Sequence, residues 1–115
     1  MFELKWTEEA DEVYRGLELR AETSFKNRKS RGQKKSSKTE GLFKQLYKTV
    51  NLLKSNLRHP SLHTHEYDSI ENPFDPKQKV FEAYAQNNTP AAYRVFWCYG
   101  PAQKKITIVG ITAHP

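Results

Sequence analysis

The chain has few of the residues that staple or punctuate small proteins: one cysteine, one methionine and five glycines in 115 residues. The single thiol, Cys98, leaves no intramolecular disulfide and no cysteine-based zinc finger. There is no glycine-rich phosphate loop, no Ser-His-Asp spacing and no paired-carboxylate motif. Long hydrophobic runs are missing too. No stretch approaches a membrane span, and the N-terminal MFELKWTEEADEV has no apolar core of signal-peptide length. Cytoplasmic location without a membrane partner is the expectation. Hydrophobic residues make up only 37% of the chain, yet six Tyr, six Phe and two Trp argue for a packed core. Disordered chains are poor in such rings. One domain over residues 1–115, near the commonest domain size, is expected.

Charge is unevenly distributed. Nineteen Lys and Arg against thirteen Asp and Glu give a net charge of +6. Seven of the cations (Lys26, Arg28, Lys29, Arg31, Lys34, Lys35 and Lys38) fall in one stretch without an acid. The remaining twelve basic residues nearly balance the thirteen acidic ones. A basic block on a neutral body suits an inter-helix loop at about 26–38 that faces an anion, and nucleic-acid phosphate is the commonest such anion. The same composition also describes a solvated loop with no partner.

Alternation of Phe2, Leu4 and Trp6 with Glu3 and Lys5 predicts a half-buried strand. Thr7 as an N-cap, followed by Glu8, Glu9 and Asp11, starts a helix running to about Phe25. Its apolar face comprises Ala10, Val13, Tyr14, Leu17 and Ala21. Thr39-Glu40 restarts a helix whose stripe is Leu42, Phe43, Leu46, Tyr47, Val50, Leu53 and Leu57, and His59-Pro60 stops it. The second half reads as strands: weakly over Leu62–Ile70, better over Lys79–Gln86, then Ala92–Tyr99 and Lys105–Thr112. Asn87-Asn88-Thr89-Pro90 reads as a hairpin turn. The predicted class is α+β: a strand, a helical hairpin, then a mostly antiparallel four-strand sheet.

Few residues are placed for chemistry. Arg94 interrupts the most apolar segment, where a guanidinium needs a partner, with Glu82 on the neighbouring strand as candidate, or a polar groove. His59, His63 and His65 cluster after the second helix, and His114 follows the last strand. In a strand His63 and His65 would share a face. Their HxxxHxH spacing has no carboxylate or thiolate at ligand distance, so no metal site and no cofactor are assigned.

Three segments in this order (His59-Pro60-Ser61-Leu62, Tyr93-Arg94-Val95-Phe96 and Ile111-Thr112-Ala113-His114) resemble the RelE/ParE superfamily of bacterial type II toxins. The resemblance spans essentially the whole chain in element order. It implies a toxin held inactive by a cognate antitoxin. The RelE-like branch cuts messenger RNA on the ribosome without metal, whereas the ParE-like branch poisons DNA gyrase without catalytic side chains. By that resemblance Arg94 is the phosphate-stabilising cation, His114 the general acid, and His65 or His63 the base. A guanidinium stays charged and grips phosphate bidentately, and imidazoles titrate near neutrality, which suits both proton-transfer roles. The expected function is therefore a ribosome-dependent mRNA endoribonuclease. The alternatives are a gyrase-directed toxin, or a small nucleic-acid-binding domain working through Lys26–Lys38.

Overall fold

A computed structural model describes residues 1–86 and 91–113. The elements are β1 (Glu3–Trp6), α1 (Glu8–Ser30), α2 (Lys38–Ser55), a 3₁₀ turn (Pro60–Leu62), β2 (His65–Glu66), β3 (Phe81–Tyr84), β4 (Tyr93–Tyr99) and β5 (Lys105–Ala113). The class is α+β, as the sequence suggested. The sheet differs from the expectation: it is one five-stranded sheet of order β1-β5-β4-β3-β2, and β1 joins β5 in parallel. The first strand thus belongs to the same sheet, because α1 and α2 carry the chain away and β5 returns beside it. The remaining pairings are antiparallel. Among the described residues no helix is long and apolar enough to cross a membrane. The hairpin turn expected at residues 87–90 lies outside the described residues, as does His114.

The helices run past their predicted limits. α1 continues through Lys26, Arg28 and Lys29, since Lys and Arg are good helix formers and cations in a last turn complement the helix dipole. It ends where Gly32 takes φ +70°, with Gln33 N–H bonded to the Arg28 carbonyl and Gly32 N–H to that of Lys29. The basic loop of 26–38 therefore shrinks to residues 31–37, and Lys38 opens α2. α2 starts earlier than expected, on a reciprocal cap: the Ser37 hydroxyl accepts from Glu40 N–H, and the Glu40 carboxylate accepts from Ser37 N–H. At its other end α2 stops at Ser55, four residues before His59-Pro60. Pro60 instead opens the 3₁₀ turn, where its fixed φ and missing N–H are harmless.

One face of the sheet packs on the helices. Its core comprises Ala10 and Leu17 from α1, Leu46, Val50 and Leu53 from α2, and Ala83, Val95, Trp97, Ile106, Ile108 and Ile111 from the strands. Two predicted core residues lie outside it: Val13 is 40% exposed and Tyr47 56%. Both stripes were read too wide, because each helix has a partner on one side only. In β5, strict alternation would turn Ile111 away from Ile106 and Ile108. A bulge corrects this: Phe96 faces Gly110 while Trp97 faces Ile108, leaving Val109 as the extra residue. The second face carries a smaller cluster of Val80, Phe96 and Cys98, flanked by Tyr67, Ile70 and Val109. Burial pushes the Cys98 thiol up, which leaves it an unreactive core atom.

Candidate functional site

The sheet face opposite the helices carries polar side chains from even-numbered residues of β3 and β4. Tyr84 pairs with Arg94, and Glu82 pairs with Phe96 on one side and with His65 of β2 on the other. Both Glu82 (2% exposed) and Arg94 (7%) are buried, so each needs a partner. The expected Glu82–Arg94 pair is replaced by two separate arrangements. His65 Nε2 lies 2.6 Å from Glu82 Oε1. Arg94 donates Nη1 to the Gln86 carbonyl at 2.7 Å and to that of Tyr93 at 3.3 Å, and its guanidinium carbon stands 3.7 Å from the Tyr84 ring centre. That spacing is a close cation–π contact. Arg94 Nε has no hydrogen-bond partner among the described residues.

Tyr84 is the hub of this group. Its ring centre lies 5.2 Å from that of His63 and 5.8 Å from that of His65, in addition to the Arg94 contact. The two histidines differ in what their nitrogens do. His65 Nδ1 lies 2.9 Å from the His63 carbonyl, which can only accept, so Nδ1 carries a proton. Its Nε2 meets the Glu82 carboxylate, so both ring nitrogens are engaged. The ring of His63 makes no hydrogen bond among the described residues. Nor does His63 share a strand with His65: it takes φ +47° at the end of the 3₁₀ turn, and the predicted strand 62–70 reduces to His65–Glu66. His59 is used locally, its Nδ1 accepting from Ser61 N–H at 3.2 Å. Among the described residues no three His, Cys, Asp or Glu side chains gather to hold a metal ion.

Arg94, His63 and His65, three of the four predicted catalytic residues, therefore meet around one ring, and His114 lies outside the described residues. Tyr84 was missed as a functional candidate, and Glu82 was considered only as a partner for Arg94. Their positions opposite Arg94 and His65 follow from register, which the hairpin length alone does not give.

The basic residues form a separate feature. Gln45 of α2 meets Gln86 just beyond β3, with Gln86 Nε2 donating to Gln45 Oε1 at 3.1 Å. From Gln45 back to Ser37, α2 extends about 12 Å along its axis to the tip. Arg28 is not available there. Its Nε bonds Glu40 at 2.8 Å, and its Nη1 donates to the carbonyls of Gln33 and Lys34, pinning the loop. Lys26 pairs with Glu22 on the surface at 3.3 Å. Lys29, Arg31, Lys34, Lys35 and Lys38 remain exposed at the tip without a carboxylate among the described residues.

Compared with protein-family models, with curated proteins and with solved structures, the chain matches none.

Proposed function

We propose that the chain is a toxin of the RelE/ParE type that cuts ribosome-bound messenger RNA without metal and is neutralised by a cognate antitoxin. The observation that carries this reading is the gathering of Arg94, His63, His65 and Glu82 around Tyr84 on the sheet face that no helix covers. In the reaction the ribose 2′-OH loses its proton to a base and attacks phosphorus. The P–O5′ bond breaks, and an acid protonates the departing 5′-oxygen, leaving a 2′,3′-cyclic phosphate. His63, whose ring nitrogens are unengaged, is the base in this scheme. His65, bonded through Nδ1 to the His63 carbonyl and through Nε2 to Glu82, positions that side of the group. Arg94 brings its guanidinium charge to the phosphorane oxygens in this scheme. His114 keeps the role of acid that the resemblance gives it. The exposed tip cations Lys29, Arg31, Lys34, Lys35 and Lys38 would hold ribosomal or messenger RNA phosphates.

The test is to induce the wild type, His63→Ala and Arg94→Ala in bacteria and map new 5′ ends on translated messages. Codon-registered cuts on translated RNA with the wild type, absent with both variants, are expected. Growth arrest that survives in both variants without cuts would replace this reading with a gyrase-type toxin. The basic tip favours a second reading, a nucleic-acid-binding domain without cleavage. Under it, removing the tip cations abolishes function while His63→Ala leaves it intact.

A further inference from the structure

A second concavity lies on the helix side of the sheet and reaches the Tyr84 group only at His63. α2 ends at Ser55, but β4 runs on to Tyr99, so the last part of the sheet is left without a helix over it. The resulting cleft of about 710 Å³ has the size of a small-molecule site. Four aromatic side chains, Phe2, Phe81, Trp97 and Tyr99, make its apolar wall. They form one connected set: Trp97 stacks on Phe81 at 4.8 Å and meets Tyr99 edge-on at 5.1 Å, and Phe2 tilts against Tyr99 at 6.0 Å. Tyr99 is 54% exposed, so its ring is open to a guest.

The polar side of the cleft is cationic. Arg58, His59 and His63 line it, and no Asp or Glu does. Arg58 is exposed and makes no ion pair among the described residues. Trp97 adds a polar group of its own: it is 2% exposed, and its indole Nε1–H is buried without an acceptor. Buried donors are nearly always paired, and one left over beside a cleft fits an acceptor brought by a guest. A small turn of the exposed Tyr99 ring, which stands against the indole, would admit that acceptor.

We infer that this cleft binds a nucleotide unit, with its base stacked on the exposed Tyr99 ring, a base acceptor on Trp97 Nε1–H, and its phosphate on Arg58. Bases stack on aromatic faces with little regard to sequence, and an unpaired guanidinium suits phosphate. The same chemistry is offered by a free nucleotide and by one unit of a strand. The cleft borders the Tyr84 group at His63, which lines it, but the groups argued to hold the guest, Tyr99, Trp97 and Arg58, have no part in the cleavage reading.

The chain has two tryptophans, so its indole N–H region shows two NMR peaks, and Trp6→Phe assigns the one from Trp97. Titration with adenosine monophosphate is expected to move the Trp97 peak saturably at millimolar concentration or below while leaving the Trp6 peak in place. Arg58→Ala, at an exposed position that does not threaten folding, should weaken binding about tenfold, as should removal of the phosphate in adenosine. Tyr99→Ala should weaken it at least about fivefold. A trinucleotide of adenosine that binds more tightly than the monophosphate assigns the site to a strand, and equal affinity assigns it to a free nucleotide. A Trp97 peak that does not move by 10 mM nucleotide (about ten times the expected upper limit), or affinity unchanged in Arg58→Ala, would overturn the proposal.

Discussion

Strands β3 and β4 show two faces made from alternate residues of the same short segments. The odd positions make an apolar face: Ala83 and Val95 lie in the core under the helices, and Phe81 and Trp97 extend it to the cleft beyond the end of α2. The even positions divide along their length. Val80, Phe96 and Cys98 make a small apolar patch, while Glu82, Tyr84 and Arg94 bring charge to the other end. Both faces are largely buried, yet only one holds ionisable groups. On the helix side a buried charge would find no partner among aliphatic side chains. On the open side the edge strand β2 supplies His65 for Glu82, and the carbonyls at the end of β3 satisfy Arg94. The difference separates stability from chemistry: one face holds the fold together, and the other can afford polar groups because short edge elements complete their bonding.

Substitutions on the two faces should therefore fail in different ways. Under the proposed function, Arg94→Ala is expected to lower the rate of message cleavage about 100- to 1,000-fold, the range for losing one transition-state donor, while the chain still unfolds cooperatively. Cleavage rate and thermal unfolding, measured on the same preparation, check both halves. Leu46→Ala, at a fully buried helix position, should cost about 2–5 kcal/mol in urea denaturation. Any folded fraction should keep its cleavage rate per molecule. A cleavage defect in the folded fraction would mean that the two faces are coupled.

The hairpin tip extends the comparison to a region that should matter for binding and little for folding. Replacing Lys29, Arg31, Lys34 and Lys35 by Ala should flatten the salt dependence of single-stranded RNA binding by about 0.7 in log–log slope per cation. Stability should change by less than about 0.5 kcal/mol. Ser37→Ala tests the anchor beneath the tip and should lose about 1 kcal/mol through the cap. Glu40 gives that anchor a pH signature. Its carboxyl is held below the usual carboxylate range, first by the Ser37 backbone N–H and also by Arg28 and the Ser37 hydroxyl. A depressed carboxylate contributes its stability fully above its unfolded-state pKa and loses it as pH falls through the folded value. Acid titration of unfolding should show this loss in the wild type and a flatter acid limb in Glu40→Gln.

Much of this was legible in the chain. Alternation in FELKW and the β-branched run KITIVGIT mark strands, and the spacing of Leu46, Val50 and Leu53 marks one helix face. The isolated charge at Arg94 marks an odd point in an apolar strand, because burying a guanidinium is expensive wherever it occurs. The end of α1 was not legible in the same way. Its basic residues read as a loop by charge, yet their side chains favour helix, and Gly32 sets the stop.

Local residue chemistry determined what each segment could be: which stretches alternate, where a helix is capped, and which side chains carry charge. Only the tertiary structure decided who meets whom. Glu82 meets His65, and Tyr84 lies among Arg94, His63 and His65, because the registers of β2 on β3 and of β3 on β4 set those distances. Register depends on pairing between residues far apart in sequence, and alternation along one strand carries no information about where its neighbour starts.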